Sequence, residues 1–141
     1  LGLADVVAVT GTLPHEELLA RVAGADIVVI PSHAEGLGLT ALEALALAKP
    51  VIATAVGGLE EVVEDGASGL VVAPGAPAEL AAAISTLASS PALRQTLGTA
   101  GRCTVEQQFS LPAITRQTMA LYHRAMAQQP GHTQAPASRN A

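Results

Sequence analysis

Two carboxylates, Glu35 and Glu43, bracket a glycine-containing stretch, Gly36-Leu37-Gly38-Leu39-Thr40. Gly36 and Gly38 remove side chains just ahead of a helix that opens at Leu39. The backbone amides of Gly38, Leu39 and Thr40 can therefore approach an anion closely, helped by the positive end of the helix dipole. A carboxylate does not face a phosphate; it accepts hydrogen bonds from hydroxyls, and such charge-assisted bonds to vicinal hydroxyls are strong. The spacing thus suits a ligand with a diphosphate in the middle and polyol groups at both ends, which describes a sugar nucleotide. His33, two residues before Glu35, is placed to reach the rim of this pocket. Gly57 and Gly58 open a second helix near the same sheet edge, where they serve as turn formers or shape the pocket. Other reactive side chains read as ordinary ones. His15 begins a surface helix and is expected in solvent. Cys103 is expected to be a small core or half-buried helix residue, and Lys49 to suit the negative end of a helix.

The elements that must position these residues alternate short β-branched runs with helix-patterned stretches, the pattern of a parallel sheet covered on both faces. Strands are expected at Val6 to Thr10, Asp26 to Ile30, Val51 to Thr54 and Gly69 to Ala73. A first helix opens at Pro14-His15-Glu16-Glu17, where proline and acidic residues suit a helix N-terminus, and runs to about Ala23. A second spans Leu39 to Ala48 and is ended by Lys49-Pro50. The carboxylate-glycine segment thus falls beyond the carboxyl end of the second strand, where doubly wound folds place their ligands. A short helix from about Leu59 to Val63 closes on the Asp65-Gly66 turn. Ala78 to Ala88 forms another, and Pro91 starts one that Gly98 and Gly101 interrupt before Phe109. Ser110 caps a last helix from about Leu111 to Gln128, with Pro112 in its first turn. Residues 129 to 141 have almost nothing apolar to bury and are expected to be disordered.

Composition removes several function classes. The chain has 141 residues, enough for one sizeable core. Half of them are hydrophobic, but Phe109 and Tyr122 are the only aromatics, so the core is aliphatic. Seven basic against twelve acidic residues give a net charge of −5, with Lys49 the only lysine and the arginines scattered. No basic patch exists to grip a nucleic-acid backbone. No apolar run reaches the length of a membrane span. A single cysteine forms no internal disulfide and no zinc site, which fits a reducing, cytoplasmic setting; peripheral membrane association of a longer protein stays compatible.

Five blocks then occur in order: A-D-I-V-V-I-P-S, the E-x7-E pair Glu35 and Glu43, K-P-V-I-A-T, G-G-L-E-E-V-V-E-D-G, and the F-S before the last helix. Together they resemble the C-terminal, donor-binding domain of GT-B retaining glycosyltransferases of family four, the glycosyl transferases group 1, over about Leu1 to Tyr122. The resemblance implies an α/β fold: a partial doubly wound, Rossmann-like parallel sheet, the C-terminal half of a GT-B nucleotide-binding domain, followed by C-terminal helices. It implies that Glu43 accepts hydrogen bonds from the nucleotide ribose and that Glu35, the candidate catalytic residue, contacts hydroxyls of the transferred sugar. Backbone amides of Gly36, Leu37, Gly38, Leu39 and Thr40 would hold the sugar and diphosphate. Transfer from a nucleotide-diphosphate sugar to an acceptor would retain the anomeric configuration. Amides and basic side chains would stabilise the leaving group, so no metal or other cofactor is expected, and no Asp-x-Asp occurs.

One family feature is altered: Ala76 stands where a helix-capping Asp is common, forgoing a cap worth typically ~1 kcal/mol. The resemblance further implies that phosphate-binding Arg and Lys residues, and an N-terminal acceptor domain with a glycine-rich loop and a catalytic His, lie upstream of Leu1. On this reading residues 1–128 are part of a donor-binding domain, inactive alone, and the strand at Val6 should be central, exposing an unpaired edge. Two alternatives stay open: a non-catalytic nucleotide-sugar-binding or partner-completing module, and a sugar-nucleotide epimerase of GT-B type.

Overall fold

A three-stranded parallel sheet forms the centre of the computed structural model, which describes residues 2–128. The strands are β1 (Val28–Ile30), β2 (Val51–Thr54) and β3 (Gly69–Val72), in that spatial order. Val28 pairs with Val51 and Ile30 with Ala53; Val51 pairs with Gly69 and Thr54 with Val72. All four residues of β2 are buried, as a middle strand packed on both faces requires. Its alternating side chains feed two cores. Val51 and Ala53 join Ile30, Ala41, Ala44, Leu45, Leu59, Val62 and Val63 on one face. Ile52 joins Val72, Ala83, Leu87 and Leu97 on the other.

The helices are α1 (His15–Gly24), α2 (Leu39–Ala46), α3 (Leu59–Val62), α4 (Pro77–Ser89), α5 (Pro91–Thr104) and α6 (Leu111–Ala127). A five-residue π-helical turn, Val105–Phe109, joins the last two. Ser90 and Ser110 cap α5 and α6, their hydroxyls accepting from the amides of Leu93 and Ala113. At α4 the capping position is Ala76 and makes no side-chain bond; the Glu79 carboxylate instead accepts from the amide of Ala73 at 3.0 Å. No helix among the described residues is long and apolar enough to cross a membrane.

Four expectations are corrected. The run Val6 to Thr10 is not a strand: it has no sheet partner, and Val6, Val7 and Val9 are exposed. Its β-branched residues favour a pleated, half-buried surface, and no such surface meets them here. Asp26 and Ile27 lie before β1 rather than in it. Gly98 and Gly101 do not interrupt α5. They are buried at close approaches, where a Cβ would strike the carbonyl of Ala48 and the side chain of Leu45. Cys103 is exposed, because the buried face of α5 carries Leu97, Gly98 and Gly101 and position 103 turns away from it. In addition, α2 ends two residues early. Ala48 takes a left-handed conformation (φ 55°) that lets the Lys49 amide donate back to the Ala44 carbonyl. The segment 129–141, expected to be a disordered tail, lies outside the described residues.

Candidate functional site

Beyond the carboxyl end of β1 the chain enters the loop from Pro31 to Gly38, tied down at its start by β2. The buried Thr54 hydroxyl donates to the Ser32 carbonyl at 2.6 Å. The loop ends on Gly38, the residue preceding α2, in a left-handed conformation (φ 82°, ψ 51°) that glycine adopts at no steric cost. A Cβ there would also approach the side chain of the fully buried Leu59 to 2.7 Å. The hydrogen-bond ladder of α2 begins with the amides of Ala41 and Leu42, both donating to the Gly38 carbonyl. The amides of Leu39 and Thr40 precede that ladder, at the positive end of the helix.

Gly57 and Gly58 form the other side of this architecture. The Gly58 amide donates to the Glu35 carbonyl at 3.3 Å. A Cβ on Gly57 would collide with that same carbonyl oxygen, and one on Gly58 with the backbone of Gly36 and Leu37. The two glycine-bearing loops therefore lie backbone against backbone, and Gly57-Gly58 support the segment Glu35 to Leu37. Turn formation and loop support are one geometry at this pair.

The Glu35 carboxylate folds onto its own loop, accepting from the Gly36 amide at 3.0 Å. Gly36, Leu37, Leu39 and Thr40 are exposed, and Gly38 between them is buried. Glu43, one turn inside α2, has a side chain 32% exposed, with Oε1 3.7 Å from Nε2 of His15, the first residue of α1. Sequence reasoning treated His15 only as a solvated surface residue. Its side chain is indeed 63% exposed, yet it faces a candidate site carboxylate. The missing information was the neighbour relation of α1 and α2, which pattern does not encode.

His33 follows the Ser32 that Thr54 ties down. It lines a cavity of about 150 Å³ with Pro31, Thr54, Val72, Ala73 and Leu80, across the strand ends from the Glu35 to Glu43 segment, none of which lines it. The structure thus packs the segment from Glu35 to Thr40 against Gly57 and Gly58, burying Gly38 and Gly58 and leaving Gly36, Leu37, Leu39, Thr40 and Gly57 exposed, with Glu43 half-buried one turn further along α2. Among the described residues, no three His, Cys, Asp or Glu side chains are grouped to hold a metal ion.

The sequence model of the family Glycosyl transferases group 1 matches residues 1–104. The chain belongs to this family. Among its relatives, the MMP alpha-(1->4)-mannosyltransferase of Mycolicibacterium hassiacum is 39% identical over 128 residues, covering 90% of this chain and 31% of the mannosyltransferase. The solved sucrose-phosphate synthase of Thermosynechococcus elongatus superposes with a TM-score of 0.79 at 40% identity, over 90% of this chain and 32% of the synthase. HepE from Anabaena, solved in complex with UDP-glucose, superposes with a TM-score of 0.67 at 30% identity, over 74% of this chain and 29% of HepE. The group 1 chain thus shares the fold of GT-B glycosyltransferases and spans about a third of the length of the curated relatives it matches.

Proposed function

We propose that this group 1 glycosyltransferase chain is the donor-binding part of an enzyme that transfers a sugar from a nucleotide-diphosphate sugar to an acceptor with retention. Residues 1–128 supply one wall of the donor site, and upstream chain supplies the other wall and the acceptor site. Glu43 accepts hydrogen bonds from the ribose hydroxyls, and Glu35 from hydroxyls of the transferred sugar. The amides from Gly36 to Thr40 hold the sugar and the diphosphate. When the bond between the anomeric carbon and the diphosphate oxygen breaks, negative charge collects on the departing diphosphate. Fixed backbone dipoles at a helix start stabilise such charge without reorganising. In this reading the leaving-group stabilisation needs no metal ion, and the enzyme works in the cytoplasm.

The observation that carries the reading is the left-handed Gly38 turn into α2, after which the amides of the exposed Leu39 and Thr40 precede the helical ladder, with Glu35 before them in the chain and Glu43 after. HepE, a structural neighbour solved with UDP-glucose, supports it. The test is calorimetric titration with UDP and UDP-glucose, with ADP and GDP pairs alongside to find the base. A hydrogen bond to a charged group contributes about 1.5–3 kcal/mol, so Glu43→Ala should weaken nucleotide and nucleotide sugar alike by roughly 10- to 100-fold. Glu35→Ala should weaken the nucleotide sugar while leaving the bare nucleotide unchanged. Binding by Glu43→Ala equal to wild type would overturn the assignment.

A further inference from the structure

The donor reading gives Glu43 a job that depends on where its carboxylate points, and the structure supplies a second residue that bears on this. His15 opens α1 and sets Nε2 3.7 Å from Glu43 Oε1. Among the described residues, His15 is the only basic side chain with a nitrogen within 4 Å of the Glu43 carboxylate. Arg21, the cation on the same helix, is already engaged by Glu17 at 3.0 Å. The remaining ion pairs there, Arg94 with Asp26 and Arg102 with Glu106, involve other residues altogether.

We infer that His15 is a positioning residue of the donor site: its imidazole holds Glu43 Oε1 and leaves Oε2 for the ribose. The inference rests on the assignment of Glu43 to the ribose. A free glutamate side chain samples many rotamers and loses that freedom when a ligand orders it. A carboxylate offers about four acceptor positions on two oxygens, so one Nε2–H donor can steer it without using up its capacity for vicinal hydroxyls. The 3.7 Å separation is longer than a hydrogen bond, so the steering requires the two side chains to approach when the ribose is bound. Both partners are partly solvent-exposed, so the contact guides the carboxylate rather than burying it.

The experiment is a double-mutant cycle read by UDP affinity, with His15→Ala, His15→Gln, Glu43→Ala and the double variant. His15→Ala should weaken UDP by about three- to tenfold, the cost of ordering one rotamer-rich side chain. His15→Gln, whose amide nitrogen reaches nearly the same place and donates, should restore affinity to within about twofold of wild type. In the Glu43→Ala background the His15→Ala change should have no further effect, because there is no carboxylate left to steer. Independently of ligand, the His15 ring proton resonances should move in Glu43→Gln. If His15→Ala binds UDP as wild type does, or more tightly, while Glu43→Ala is weakened, the role of His15 is overturned and the ribose assignment stands. If wild type binds no UDP, ADP or GDP, or Glu43→Ala has no effect, the ribose assignment itself fails.

Discussion

Gly58 and Gly36 lie in facing loops, and their replacement by alanine should separate sharply. A Cβ on Gly58 would strike the Gly36 carbonyl and the Leu37 Cα, both backbone atoms that cannot rotate aside, whereas one on Gly36 meets nothing within 4 Å. Gly58 has right-handed helical angles (φ −64°, ψ −15°), so alanine costs nothing there in backbone strain and the whole penalty is contact. Overpacking of this kind costs about 1–3 kcal/mol, and the stiffer unfolded chain returns about 0.4–1 kcal/mol. Gly58→Ala should therefore lose about 1–2 kcal/mol. Gly36→Ala, which keeps only the returned part, should be unchanged or slightly more stable. Urea unfolding followed by circular dichroism measures both through the midpoint at constant slope. The corresponding melting difference is roughly 8 °C, taking about 4 °C per kcal/mol for a domain of this size. Gly58→Ala should also weaken UDP binding, because relief of the clash moves the Glu35 to Leu37 backbone off its support. Equal stability of the two variants, within 0.5 kcal/mol as the spread of ordinary surface changes, would refute the backbone-against-backbone packing of the two loops.

Ala48 pays for a left-handed conformation that glycine takes freely. Ala48→Gly should raise stability by about 0.5–1 kcal/mol, the conformational relief of about 1–2 kcal/mol less the added unfolded-state freedom, seen as a higher melting temperature. Leu87 is fully buried between β2 and the helices of the second core, and Leu87→Ala should cost about 2–5 kcal/mol in urea unfolding. Ser90→Ala removes the acceptor for the Leu93 amide at the start of α5 and should cost about 1 kcal/mol in the same assay.

Much of the framework was legible because its signals are local. The runs at Val51 and Gly69 are continuous apolar segments, and they form β2 where expected and β3 one residue shorter than expected, ending at Val72. Ser110 and Pro112 placed the start of α6, and Gly38 placed the turn before α2. What escaped depends on partners distant in sequence. Val6 to Thr10 has strand composition, but a strand needs a neighbour, and composition does not supply one. Gly98 and Gly101 look like helix breakers, yet their purpose is the approach of α5 to Ala48 and Leu45, far away in sequence. The site divides the same way. The carboxylate-glycine loop could be read directly, while the contact of His15 with Glu43 and the cavity that His33 lines with Thr54 and Leu80 required the packing of α1, α2 and the strand ends.

A crystal structure of the chain with UDP tests the central claim most directly. The account expects the ribose hydroxyls within hydrogen-bond distance of Glu43 and the diphosphate at the amides of Gly38, Leu39 and Thr40. Nucleotide seated instead in the cavity lined by His33, Thr54 and Leu80, with Glu43 free of it, would contradict the account.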